Sequence, residues 1–268
     1  MSAMWDAAGE FNDPRAATRA AVRQGEGHRA WFQRLLGAEV AEWPGWLLVA
    51  HPRLRWPLFN YAVPLAEPDP AGAARAAAWL EARDRLPCFL VTPAAGRWRP
   101  RGLALRERQV VLGMAPGAPA PDPRPVPPEA RVWALPAGAE ADWADLLLSA
   151  LGVPAELQPP LREAYAGVGE RLSPGERLRL YLAEWDGQPV GTGMLFVDRE
   201  GLAGLYGAAV LFPWRGRGWG RLLTRRRLAD AWRLGAREAV VQTGPGTPVA
   251  ALWRRLGARV WYGVEVYY

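Results

Sequence analysis

The sequence predicts a mixed α/β fold of the α+β kind, a mostly antiparallel sheet flanked by helices, in two tandem domains. Three observations carry this expectation. Residues 115–128, APGAPAPDPRPVPP, are dense in proline, which removes backbone donors and fixes φ, so an extended connector is favoured over helix or sheet. Residues 177–198, RLRLYLAEWDGQPVGTGMLFVD, are two alternating segments around Asp186-Gly187, a pair that supplies the positive φ values of a two-residue hairpin turn. Residues 202–234 run from an apolar strand through a glycine-rich turn into a helix. With 268 residues, 50% of them hydrophobic, the chain can bury two cores. The expected division is 1–115, a connector over 116–128, and 129–268.

In the first half, residues 14–36 read as a helix, 46–50 as a short apolar strand and 71–84 as an alanine-rich helix with Trp79 and Leu80 inward. The run PCFLVT, 87–92, is a buried-strand candidate. The second half opens with a strand over 131–135 and helices over 142–150 and 160–171. After the hairpin come a strand over 202–211 and a helix over 218–234, closed by Gly235, whose missing Cβ suits a left-handed stop. A strand over 238–243, a helix over 247–256 and two short strands, 259–261 and 264–267, complete the order.

A weak internal echo links the halves. PCFLVTP followed by RWRPRGLAL matches EAVVQTG followed by LWRRLGARV, pairing Trp98, Arg99 and Gly102 with Trp253, Arg254 and Gly257. The spacing from Thr92 to Gly102 is four residues shorter than that from Thr243 to Gly257.

Composition excludes several chemistries. All 33 basic side chains are arginine, and both lysine and isoleucine are missing, as codon bias in a GC-rich genome would produce. The formal charge of +6 would attract phosphates, but no basic run resembles a nucleic-acid arm and no aromatic platform accompanies it, so nucleic acid ranks last among partners. Cys88 is the only cysteine, which rules out an intrachain disulfide and reads as a buried thiol. His28 and His51 lack any paired spacing such as HExxH, so neither a metal site nor a Ser-His-Asp triad is expected. The start, MSAMWDAAGEFND, shows no basic-then-apolar leader, and no apolar run approaches the roughly 20 residues of a membrane span. A soluble cytoplasmic protein is the expectation.

The chemistry concentrates in RGRGWG, residues 215–220. Between a strand and a helix, successive N–H groups of such a turn converge on an anion that the helix's positive end also favours. Gly216, Gly218 and Gly220 permit positive φ and close approach, while Arg215, Arg217 and Arg221 add donors suited to phosphate. Trp219 lies inside the turn and Trp214 just before it, in contact with a cofactor base or as cover; the same indoles, with Trp185, Trp232, Trp253 and Trp261, also suit ordinary core packing.

This arrangement resembles the GCN5-related N-acetyltransferase (GNAT) family, whose signature is Gln or Arg, two residues, Gly, one residue, then Gly or Ala; Arg215, Gly218 and Gly220 match it. The resemblance covers about residues 130–268 and extends to the order of elements. The segments GLYGAAVLFPWRGRGWGRLL, GAREAVVQTG and ALWRRLGA are similar to a branch whose members often carry two such domains, the first commonly degenerate. The first half here has no Arg-x-x-Gly-x-Gly turn.

The resemblance implies acetyl-CoA as cosubstrate and an amine as acceptor. It implies that backbone groups of Ala208, Ala209 and Val210 hold the pantetheine arm, one N–H facing the thioester carbonyl. One fixed donor aimed at developing negative charge lowers a barrier by roughly 3 kcal/mol. Two family features are missing: the usual acid, a tyrosine, is replaced by Trp253, and a glutamate base found in some members by Gly204. Tyr206 is the nearest polar replacement, because a two-residue period puts it on one strand face with Ala208 and Val210. Tyr262, Glu265 and Glu184 come after it.

Two readings follow. In one, the chain is an N-acetyltransferase whose first half shapes the acceptor pocket. In the other, it is a weak or inactive module of the same fold, an acyl-CoA sensor or interaction scaffold, which the two missing groups favour. The acceptor, the acyl group and pairing of two chains into a homodimer stay open at this level.

Overall fold

A computed structural model describes residues 19–117 and 126–268, so the first five residues of the expected 14–36 helix and most of the proline-rich connector lie outside the described residues. The elements, in chain order, are α1 (Arg19–Leu35), β1 (Glu39–Trp43), β2 (Trp46–Ala50), β3 (Asn60–Pro64), α2 (Pro70–Glu81), β4 (Phe89–Val91), β5 (Leu105–Met114), β6 (Ala130–Ala134), α3 (Glu140–Leu151), α4 (Gln158–Ala166), β7 (Arg177–Trp185), β8 (Gln188–Val197), β9 (Leu202–Val210), α5 (Trp219–Arg233), β10 (Glu238–Thr243), α6 (Pro248–Arg255) and β11 (Arg259–Tyr267). Mixed sheet and flanking helices agree with the predicted class.

The chain divides into two compact units. The first holds residues to Gly113 together with 242–254 and 258–268, and the second holds 114–241 with 255–257. Residues 242–254 and 258–268, expected with the C-terminal domain, thus group with the first unit. The reason is strand pairing. β11 lies between β4 and β5, antiparallel to both, with Glu265 opposite Val91 on one side and Arg108 on the other. The two short strands expected at 259–261 and 264–267 are one strand with a register shift between Val260 and Tyr262. Gly113 on β5 makes room for the irregularity, since a Cβ there would collide with the Trp261 indole.

In the first unit the strands run β1-β2-β3-β4-β11-β5, with only β3 and β4 parallel among the recorded pairings. Trp46, Leu48, Ala62, Ala76, Leu80, Phe89 and Val91 form its core, against which Trp98 packs. Leu80 points inward as expected, while Trp79 is half-buried, edge-on to Trp43 at 6.3 Å and covered by the Arg83 guanidinium. Where the second half has the helix α6, the first has only a single 3-10 turn, Pro93–Ala95, which accounts for the shorter spacing of the echo.

In the second unit the order is β10-β9-β8-β7-β6, antiparallel throughout except for the parallel β9 and β10. Asp186 (φ 47°) and Gly187 (φ 75°) make the tight turn of the β7–β8 hairpin, closed by Trp185 opposite Gln188. Helix α5 ends at Gly235, φ 83°. A single carboxylate ties it to the sheet: Asp230 accepts from the Tyr181 hydroxyl at 2.9 Å, from Arg226 Nε at 3.0 Å and from Arg233 Nη1 at 2.6 Å.

Candidate functional site

The site grows from an interruption in β9. Along β8, Met194 faces Tyr206 and Thr192 faces Ala209, so Gly193 alone is opposed by two residues, Gly207 and Ala208. This is a β-bulge with a left-handed glycine, Gly207 at φ 54°. The extra residue shifts the alternation by one. Tyr206 therefore shares a face with Ala209, not with Ala208 and Val210 as the unbroken two-residue period predicts.

Side chains on two helices fix the bulge. Trp143 of α3, buried and donating its indole N–H to Tyr181 O at 3.1 Å, packs where a Gly207 side chain would stand. From α5, the buried Arg227 donates through Nη1 to Tyr206 O at 3.0 Å and Met194 O at 3.2 Å, and through Nε to Leu223 O at 3.1 Å. Burial pushes its guanidinium down to about 10, with the neighbouring Tyr181 acting in the opposite direction, so it stays charged at neutral pH. Thr192 Oγ1 donates to Gly207 O at 3.1 Å.

Just before the bulge, β9 leaves its parallel neighbour. Pairing with β10 covers only Leu202, Ala203 and Gly204, while pairing with β8 continues to Val210. The last residues of β9 therefore extend past the β9–β10 ladder. Ala208 is exposed, Ala209 is buried and Val210 lies between.

Next comes the turn. Phe212–Trp214 form one 3-10 turn, and the helix begins after Gly218, whose φ of 95° suits glycine. The first main-chain bonds of α5 run from Arg221 N and Leu222 N to Gly218 O, at 3.0 and 3.1 Å, and no side chain caps this end. The amides of Gly216, Arg217, Gly218, Trp219 and Gly220 thus precede the helical ladder, which is what anion capture requires.

The arginines divide their work. Arg215 donates through Nε to Val210 O at 3.0 Å and through Nη2 to Ala150 O at 2.8 Å, so it clasps the strand end to α3. Arg217 stacks on Trp214, 5.0 Å from the ring centre. Burial lowers the pKa of Arg221, and the charge of Arg225 lowers it further, as expected where positive groups gather. Trp185, Trp214 and Trp219 pack against one another with centroids 5.9 to 6.3 Å apart, so these indoles build the support of the turn.

The remaining candidates are held in other contacts. Tyr262 is fully buried and donates to Glu26 Oε1 at 3.1 Å. Glu265 pairs with Arg99 at 2.8 Å and Arg108 at 3.6 Å. Glu184 accepts from the Trp133 indole at 2.9 Å. Trp253 is fully buried. Burial raises the Cys88 thiol to about 12, so it is inert at neutral pH. His51 accepts at Nδ1 from Arg53 N and Leu54 N and donates from Nε2 to Leu36 O, a purely structural arrangement. Among the described residues no group of three or more His, Cys, Asp or Glu is placed to hold a metal ion, and no helix is long and apolar enough to cross a membrane.

The corresponding strand-to-helix junction of the first unit, from β3 to α2, is built differently. Pro70 occupies the first turn of α2, and the Asp69 carboxylate caps it, accepting from Gly72 N at 2.5 Å. A negative side chain thus sits where the second unit offers open amides.

A bulged strand parting from its parallel neighbour, an uncapped glycine turn and a helix form a junction whose backbone amides suit an anion. A sequence model of the Acetyltransferase (GNAT) family matches residues 142–258, a stretch that includes the bulge and the glycine turn and that is similar to this family. Solved structures share the fold over most of the chain. A GCN5-related N-acetyltransferase from Kribbella flavida is 20% identical, with 94% of each chain covered and a TM-score of 0.64. One from Sphaerobacter thermophilus is 18% identical, covering 96% of this chain and 93% of that one, with a TM-score of 0.60. A tandem GNAT protein from the clavulanic acid biosynthesis pathway is 18% identical over 82% of this chain and 72% of its own, with a TM-score of 0.55. The sequence matches no curated protein.

Proposed function

We propose that the chain is an acyl-CoA-dependent N-acyltransferase that moves acetyl from acetyl-CoA to a primary amine of a small molecule or peptide. The observation that carries this reading is the parting of β9 from β10 after residue 204, followed by the amides of 216–220. A strand edge beyond its ladder suits the amide-bearing arm of the donor, and the turn suits its pyrophosphate. Ala208, Ala209 and Val210 then line the arm. Arg217, Arg221, Trp219 and the glycines surround the phosphates, and Arg215 sets the angle between strand and turn.

The reaction is direct attack. The amine nitrogen forms a bond to the thioester carbon, the carbon–sulfur bond breaks, and the proton lost by the nitrogen ends on the thiolate. Tyr206, half-buried at the bulge and on the face of Ala209, is our candidate for handling that proton. Calorimetry with acetyl-CoA is the test: micromolar to low-millimolar affinity is expected, weakened by both Arg215→Ala and Gly218→Asp. No binding by the wild type ends the reading.

A second reading, a non-catalytic acyl-CoA sensor or scaffold of the same fold, draws on the engagement of Tyr262, Glu265 and Glu184 in other contacts. Thiol release across a panel of amines separates the two. Turnover lost in Tyr206→Phe supports the enzyme, and saturable donor binding with no turnover supports the module.

A further inference from the structure

We infer that Arg227 is a positioning residue for the donor strand, holding the β9 bulge in the shape that aims the backbone of Ala208–Val210. This role rests on the acyl-donor reading above.

The reasoning starts from an oddity of burial. A guanidinium 2% exposed on the inner face of a helix is costly unless its charge is paired, yet among the described residues no carboxylate pairs with Arg227. Its hydrogen bonds go to main-chain carbonyls instead, one on its own helix and two on the sheet. Those two, Met194 O and Tyr206 O, belong to the cross-strand pair at which the bulge begins. A bulge breaks the ladder and leaves backbone groups in need of other partners. The side chain therefore spans the lesion, joining β8 to β9 where their own bonds are interrupted.

The opposite strand is shaped to admit it. A Cβ on Gly193, the residue facing the bulge, would lie 3.0 Å from Arg227 Nε and 3.1 Å from Cδ. Any larger residue there would press on the guanidinium. With Trp143 against Gly207, a helix side chain on each side sets the conformation of three residues, 206–208. An apolar side chain at 227 could fill volume but could not bond the Tyr206 carbonyl. The strand would then be free to change its bend just before the residues that line the arm.

The test uses the full chain with Arg227→Met, Arg227→Lys and Gly193→Ala, read by amide hydrogen exchange and by calorimetry with coenzyme A. Arg227→Met should speed exchange of residues 204–211 about tenfold or more while α5 keeps its protection. It should also weaken coenzyme A about tenfold or more, since small misplacement of a binding group is expensive. Arg227→Lys should recover part of both, because charge and one reach of donor remain. Gly193→Ala should act like Arg227→Met with the arginine still present, and it decides the matter if Arg227→Met does not fold. Wild-type exchange over 204–211 and wild-type affinity in the folded variants overturn the inference, as does equal loosening of all of α5. A wild type that ignores coenzyme A sinks the donor reading itself, a result distinct from variants that bind as well as the wild type.

Discussion

The Trp143 indole stands where a side chain on Gly207 would begin: a Cβ there would fall 2.7 Å from Cη2. Two penalties therefore combine at one position, because Gly207 also holds φ at 54°. Left-handed backbone costs a residue with a Cβ about 1–2 kcal/mol, and overpacking a filled core costs about 1–3 kcal/mol. Gly207→Ala should lower the unfolding free energy in urea by about 2–5 kcal/mol, taking the two costs together. Adding Trp143→Leu should return part of the loss. A neutral Gly207→Ala would mean that the bulge is not fixed as described.

Asp230 sets the acid limit of the second unit. Burial alone would raise its carboxyl, but hydrogen bonds from Arg226 and Tyr181 outweigh it and hold the group below its ordinary 3.8. Because the unfolded chain takes up the proton first, the stability this carboxylate contributes is complete above that value and is lost as pH falls below it. Asp230→Asn should cost about 3 kcal/mol at neutral pH, as breaking a buried ion pair does, and should flatten the acid limb of a stability-against-pH curve. An acid limb of unchanged steepness in the variant would refute this.

Glu26 works in the opposite sense. Burial raises its carboxyl above the ordinary 4.5, against the charge of Arg29 and the hydrogen bond from Tyr262. The folded state holds its proton longer than the unfolded one, so stability from this group is full below 4.5 and falls as pH rises toward the folded value. Glu26→Gln keeps a neutral side chain of the same shape and should remove that fall. The check is urea unfolding of both proteins at several pH values from 4 upward. Parallel curves would show that Glu26 titrates normally.

The Asp69 cap gives the first unit's junction a purely structural part. Asp69→Ala should cost about 1 kcal/mol, the usual worth of such a cap, and should leave coenzyme A affinity untouched. Weakened binding in this variant would bring the β3–α2 junction into the donor site.

What could be read from the sequence was local chemistry. Asp186-Gly187, Gly235 and the 215–220 turn each announce a backbone conformation through the residues that adopt it. The β1–β2 hairpin carried the same kind of signal in Pro44-Gly45, between Trp43 and Trp46, and could have been found by it. β3 could not: NYAVP is five residues, all buried, with no alternation to display. β5 hides differently, its first half exposed and charged and its second half buried and apolar. The bulge was invisible because nothing about Gly207 alone distinguishes it from a glycine in a regular strand. Its cause lies in Trp143, Gly193 and Arg227, which meet only in the folded chain. That loss shifted one inference, the face of Tyr206. The role of Arg215 was also hidden, since a motif names the residue but not the carbonyls of Val210 and Ala150 that occupy it. The grouping of 259–267 with the first unit depends on partners far back in the chain, such as Arg108 for Glu265.

The insertion of β11 between β4 and β5 sets an order of events during synthesis. Until residue 267 has left the ribosome, β4 and β5 have no strand between them, and each presents an unpaired edge. At elongation rates of about 5–20 residues per second, that wait lasts roughly 7–30 s after β5 emerges. The first unit to be translated is therefore the last to be finished, and its exposed edges must be kept from other chains for the interval.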